Sequence, residues 1–216
     1  MSPVAAGPAA ALAQYRLRAG QYDAELAAFE PVRQRAIESL ALADGDTVLD
    51  VGCGTGLSFA QLRQGVGLRG HVVGLEQCPE MLEQARGRVR QAQWRNVALV
   101  CAPAARARIR GRADAALFCF THDIVRDEAC VAHVLAHLRP GARVVAVGLQ
   151  WAPPWLWPSN LFVLMAALYS VTSLEGLSRP WDRLMQGLAD VRVESALWGS
   201  VYIASGVVQP RGRARA

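Results

Sequence analysis

The chain has 216 residues, 52% hydrophobic and 19% charged, which excludes disordered and fibrous proteins and suffices for a buried core. Its formal charge is +5 and its pI about 9.3, yet the 23 strongly basic side chains are all arginine and none is lysine. Alanine occurs 37 times, so the basicity reads as compositional bias and is a weak guide to acidic partners.

Residues 1–14 are rich in Pro, Ala and Gly and read as a flexible segment. From Ala24 to Leu42, apolar residues at Leu26, Phe29, Val32, Ala36, Ile37 and Leu40 follow a helical period. Thr47–Val51 reads as a buried strand, followed by a glycine-rich turn, Gly52–Gly56, and a helix to about Gln64. A second strand, His71–Leu75, ends in Glu76, and Pro79 opens a helix to about Gln91. Val97–Cys101 and Ala115–Phe120 read as the third and fourth strands. A helix over Asp127–Leu138 is expected to stop at Pro140-Gly141, before a fifth strand at Arg143–Leu149. Three Trp and two Pro crowd Trp151–Trp157, ahead of helices expected at Asn160–Ser170 and Pro180–Leu188. Two further strands, Val191–Glu194 and Val201–Val208, read as a hairpin. The alternation implies an α/β fold: a Rossmann-like, doubly wound, mostly parallel seven-stranded sheet with an antiparallel C-terminal edge hairpin.

The five cysteines are odd in number and scattered, with no C-x-x-C, so neither a disulfide framework nor a zinc site is expected. His133 and His137 form the one close helical pair of histidines and lack a third ligand nearby; no metal is expected. The N-terminus has no basic region of the signal-peptide kind, and the longest apolar run, Leu161–Leu168, is eight residues. A cytoplasmic protein follows as the expectation.

The most informative stretch is Val48-Leu49-Asp50-Val51-Gly52-Cys53-Gly54-Thr55-Gly56. A strand ending in close glycines before a helix lets backbone approach a ligand, and the helix start presents unpaired N–H groups. Glu76, at the end of the second strand, suits the two hydroxyls of a ribose. The glycines fall as G-x-G-x-G, with Leu57 in the third position of the dinucleotide fingerprint, and Asp50 at the entrance suits a cationic ligand better than a pyrophosphate. S-adenosylmethionine carries an ammonium, a sulfonium and a carboxylate.

Here the chain resembles the class I S-adenosylmethionine-dependent methyltransferases, nearest to the small quinone-biosynthesis and phospholipid methyltransferase type. The stretch above is similar to their first motif, Gly74–Arg86 to their second, and Leu138-Arg139-Pro140-Gly141-Ala142-Arg143 to the turn before their fifth strand. The resemblance implies one methyltransferase domain over 15–208, with 151–188 as a substrate-recognition or lid insertion and 209–216 as a basic tail. It implies Asp50, Gly52, Cys53, Gly54 and Gly56 around the methionine part of the cofactor and Glu76 on the ribose. Gln77 and Met81 would flank the adenine, and Ala102, Pro103 and Phe120 would border the site. Pro103 departs from the pattern, standing where relatives often carry an acid for the adenine amine.

Phe120-Thr121-His122-Asp123 follows the fourth strand and should border the acceptor. His122 could act as a base oriented by Asp123, or it could only shape the pocket while Asp123 caps a helix. Trp151, Trp155, Trp157 and Tyr169, with Tyr15 and Tyr22 from the N-terminal side, are the candidate substrate-binding residues. They suit a small, lipophilic or lipid-like acceptor, methylated at N or O, or a lid touching a membrane surface. Eight arginines and no acid lie between Arg86 and Arg112, but one aromatic, Trp94, is interleaved, so nucleic acid is disfavoured. The alternatives carried forward are a non-catalytic cofactor-binding scaffold and, less favoured, a nucleic-acid methyltransferase.

Overall fold

The computed structural model describes residues 27–170 and 176–209. The expected flexible segment 1–14 and residues 210–216 of the tail lie outside them. A 3-10 turn at Ala27–Phe29 leads into α1 (Glu30–Glu38). Then follow β1 (Thr47–Val51), α2 (Phe59–Val66), β2 (His71–Glu76), α3 (Pro79–Gln91) and β3 (Val97–Cys101). Next come β4 (Ala113–Cys119), α4 (His122–Arg126), α5 (Glu128–Ala136) and β5 (Leu138–Leu149). The last elements are α6 (Trp157–Ser170), α7 (Asp182–Met185), β6 (Leu188–Ala196) and β7 (Val201–Val208).

The strands form one seven-stranded sheet in the order β3-β2-β1-β4-β5-β7-β6. β1, β2, β3, β4 and β5 run parallel, and β7 enters antiparallel between β5 and β6. The order reverses between β1 and β4, so their carboxyl ends flank the crevice where this type of sheet takes ligands. The expected fold class is the observed one.

Strand periodicity sends alternate residues to two separate cores. Val48, Ala115, Leu117 and Val145 pack with Val32, Ile37, Phe59 and Leu62 on one face. Leu49, Val51, Ala116, Phe118 and Val144 pack with Val131, Val134, Leu184 and Tyr202 on the other. Asp50, between Leu49 and Val51, therefore shares the face of Val48, under α1 and α2.

Several boundaries differ from expectation for physical reasons. The helix expected to reach Leu138 ends at Ala136, and β5 begins at once, because Leu138 pairs with Ala113 across a bulge and Gly141 takes φ 84°. α5 is capped by Asp127, whose side chain accepts from the Cys130 N–H at 2.8 Å. α4 is five residues long, too short for periodicity to reveal. α6 begins at Trp157, three residues before Asn160, because Pro158 is tolerated in a first turn. The helix expected over Pro180–Leu188 is one turn, ended by Gly187 at φ 87°.

Phe118 is fully buried in the middle of the sheet. Phe118→Ala should cost about 3–5 kcal/mol, read from urea unfolding. A cost under about 1 kcal/mol would show that this face is not the close-packed core described here.

Candidate functional site

The chain leaves β1 through the glycine turn, which is held against β2 by its backbone. The N–H groups of Gly52 and Cys53 both donate to the Leu75 carbonyl, at 2.8 and 3.0 Å. Gly52 has φ 73°, and a Cβ there would stand 2.5 Å from the Thr121 methyl, so backbone passes directly beneath the β4–α4 junction. Gly56, at φ 81°, has the Phe59 ring where a Cβ would be. Larger residues at either position would push the turn out of the crevice.

Glu76 closes the other side. One carboxylate oxygen accepts from the Gly54 N–H at 3.0 Å and the other from the Cys78 N–H at 2.7 Å. Burial raises its pKa, against the lowering effect of those backbone donors. Each oxygen keeps a further lone pair for a hydroxyl donor.

The charged heart of the site is Asp50, 1% exposed, with Arg33 of α1, 3% exposed, as its cationic neighbour. Burial pushes the Asp50 carboxyl from 3.8 to about 7; Arg33 pulls it down and Glu76 pushes it further up. The same surroundings drive the buried Cys53 thiol well above its usual range and Cys119 to about 12, so neither offers a thiolate near neutrality. Arg33 also pairs with Glu30, which accepts from the Gln61 amide at 2.8 Å. Among the described residues, the buried side-chain atoms without a hydrogen-bond partner are Arg33 Nε, Asp50 Oδ2, Gln61 Oε1 and Thr121 Oγ1. All four belong to residues around the glycine turn. A buried orphan costs about 1–3 kcal/mol, so this clustering marks a ligand site carrying both a donor for Asp50 and an acceptor for Arg33.

Sequence reasoning missed Arg33. The available signal was its position: four residues after Phe29 and four before Ile37, an arginine inside the buried stripe of α1. Thr121 was passed over for its neighbours His122 and Asp123.

The expected cofactor-side residues lie at the ends of β1, β2, β3 and β4 and in the first turn of α3. Met81 is buried in the first turn of α3, and the Ala102 N–H donates to the Glu76 carbonyl at 3.0 Å. Gln77 and Pro103 are exposed. Phe120 has φ 55° and its N–H donates to the Val147 carbonyl at 2.8 Å; its ring lies 4.8 Å from that of Phe29. His122 is buried, and its Nε2 stands 3.4 Å from Nη1 of Arg126, while Asp123 is exposed.

The candidate acceptor residues separate. Trp151 is half-buried against the core, but Trp155 and Trp157 are 77% and 68% exposed. Tyr15, Tyr22 and the Tyr169 side chain lie outside the described residues. In the arginine stripe, Arg86 and Arg90 pair with Glu83, Arg88 donates to the Thr55 carbonyl and Arg112 to that of Leu138. Half of that stripe is therefore engaged within the chain. No cluster of three or more metal-ligating side chains occurs among the described residues.

A doubly wound sheet of this order, with a glycine turn facing an acidic β2 end, defines a class I methyltransferase fold. Residues 48–141, a little under half of the chain, match the family model described as a methyltransferase domain. It is 39% identical over 64 residues to a protein-L-isoaspartate O-methyltransferase of Ignicoccus hospitalis, covering 30% of each chain. It is 44% identical over 57 residues to an arsenite methyltransferase of Halobacterium salinarum, covering 26% of this chain and 15% of that one. These matches thus span less than a third of either curated relative. An O-methyltransferase family protein of Burkholderia thailandensis shares the fold with a TM-score of 0.73 at 18% identity, over 97% of this chain and 65% of that one.

The Asp50 proton gives a direct test of the site's electrostatics. The folded protein keeps it to about pH 7 and the unfolded chain releases it near 3.8, so stability falls as pH rises through that window and levels off above it. Asp50→Asn should therefore raise the melting temperature at pH 8 and change it far less near pH 4. An equal effect at both pH values would contradict the burial of an ionisable Asp50.

Proposed function

We propose that the chain is an S-adenosylmethionine-dependent methyltransferase acting on a small, lipophilic acceptor at nitrogen or oxygen. One observation carries this reading: the orphaned, buried Asp50 Oδ2 and Arg33 Nε beside the glycine turn. An amino acid's ammonium and carboxylate would satisfy both, and S-adenosylmethionine ends in that group. Glu76 would accept from the ribose hydroxyls, and Met81 with the Ala102 backbone would border the adenine, without help from an acid at Pro103.

When bound, the cofactor supplies an electrophilic methyl on a sulfonium, which an acceptor heteroatom displaces in line. The protein's share of that chemistry is alignment and exclusion of water. Phe120, Phe29 and Phe162 form an apolar wall, with the Phe29 ring centroid 4.8 Å from that of Phe120 and 6.0 Å from that of Phe162. Such a wall suits a lipophilic acceptor. Five free cysteines suit a reducing cytosol.

His122 is best read as shaping this pocket. Its Nε2, the nitrogen a base would use, stands 3.4 Å from the Arg126 guanidinium. Thr121, whose methyl lies over Gly52, has a buried, unpartnered Oγ1 and is a further candidate contact for the cofactor or acceptor.

Titration calorimetry with S-adenosylhomocysteine should show binding that Glu76→Ala or Arg33→Ala weakens by about 10–100-fold, the loss of one charge-assisted contact. Affinity should also rise roughly eightfold from pH 6 to 7.5 as Asp50 gives up its proton, and stay flat in Asp50→Asn. Absence of binding at millimolar ligand would refute the cofactor. Turnover of labelled donor against a metabolite extract separates the enzyme from a non-catalytic scaffold. His122→Ala should keep the pH dependence of the rate, whereas loss of its acidic limb would restore the base role.

A further inference from the structure

Large apolar side chains exposed to solvent are concentrated at one rim of the protein. Trp155, Trp157 and Trp198 are 77%, 68% and 81% exposed, and Leu161, Phe162 and Met165 of α6 are 45–53% exposed. Between Arg143 and Glu175 the sequence contains no charged residue. Two loops build this surface together. A Cβ on Gly199 would lie 3.1 Å from Pro153 and 3.4 Å from Ala152, so the β6–β7 turn packs against the tryptophan-rich loop.

That turn is itself unusual. Leu197 and Trp198 have φ 46° and 58°, a hairpin-turn conformation suited to Asn, Asp or Gly. Here it holds two bulky apolar residues in the open, where neither gains from core burial. The arrangement is disfavoured for the isolated protein and becomes favourable when an apolar phase covers it.

Beside the rim lies a cavity of about 710 Å³ lined by Arg126, Arg179, Arg183, Trp181, Val191 and Val193. The Trp151 N–H donates to the Leu177 carbonyl at 2.9 Å, tying the segment that borders this cavity to the tryptophan loop. Arg179 and Arg183 pair with Asp182 and Glu128, each at 3.0 Å, in exposed bridges that cost little to exchange for another anion. An uncharged, tryptophan-rich surface next to arginines matches the layered chemistry of a bilayer surface: apolar below, phosphate at the level of the headgroups.

We propose that this rim docks on an anionic lipid bilayer, with Trp155, Trp157 and Trp198 entering the interfacial layer and Arg179 and Arg183 meeting lipid phosphates. The docking is peripheral: no helix among the described residues is long and apolar enough to cross a membrane. It stands independently of the methyl-transfer reading.

The test is flotation of the full chain with vesicles of phosphatidylcholine containing one third phosphatidylglycerol, against pure phosphatidylcholine. The wild type should float with the anionic vesicles, with a blue shift in tryptophan emission. W155A/W157A/W198A should lower the partition coefficient at least about tenfold while keeping the melting temperature and affinity for S-adenosylhomocysteine. Trp198→Ala alone, at an exposed tip, should lower it in the same direction. R179A/R183A should remove the preference for anionic over neutral vesicles. A wild type that stays out of the vesicle fraction at low salt overturns the proposal, as does a triple variant that floats like the wild type. So does a dimer, seen by light scattering, that the triple substitution dissociates without any lipid binding.

Discussion

One carboxylate, taken out of water at the end of the central strand, organises the polar side of this protein's crevice. Strand alternation sends Asp50 to the same face as Val48, into a layer otherwise filled by Val32, Ile37, Phe59 and Leu62. A charge in such surroundings requires a partner, and the nearest cation belongs to α1. Docking that helix therefore does two things at once: it seals one core and brings Arg33 to the mouth of the crevice. Glu30 and Gln61 extend the network by tying Arg33 to α2. The network remains incomplete by itself, and its unpartnered atoms point to what completes it.

The two sides of the crevice use different physics. On the β1–β2 side, recognition is polar: a backbone turn with its N–H groups committed, a carboxylate bridging Gly54 and Cys78, and a buried acid–arginine pair. On the β4–β5 side, it is apolar: Phe120 against Phe29, Phe29 near Phe162, Trp151 half-buried behind them. The polar half suits a ligand of fixed charge distribution. The apolar half discriminates weakly, since apolar contact resolves shape and size by only a few kcal/mol (about 1–3 per methylene).

Much of the fold was legible because most elements carry local signals. β1, α3, β3 and β7 match their expected bounds residue for residue: aliphatic runs bounded by turns for the strands, Pro79 at a first helical turn for α3. α4 was not legible, since a five-residue helix has no period to display. The start of β5 was hidden by Pro140-Gly141, which ordinarily punctuates but here lies in a strand that tolerates it through a bulge and a left-handed glycine. The glycine turn and Glu76 were legible because backbone geometry forces their residue types. Arg33 was not, because its role depends on which strand α1 covers. Likewise, Trp155 and Trp157 read in sequence as pocket lining; only packing shows that they face solvent, while Trp181 stacks near Tyr202 with ring centroids 4.9 Å apart.

The sheet order also divides the chain in a way that bears on how such a protein diversifies. Strands β3-β2-β1, which carry the polar half of the crevice, come from 47–101, and β4-β5-β7-β6, which carry the apolar half, come from 113–208. The two stretches meet along a seam made by the four-residue pairing of Val48–Val51 with Ala115–Phe118 and, just beyond it, the close approach of Gly52 to Thr121. Because most of the seam is backbone pairing, it makes few demands on the side chains that lie beyond it. Changes downstream of residue 113 can thus reshape most of the apolar half, by drift or by recombination, while the upstream stretch keeps the glycine turn, Asp50 and Glu76 intact.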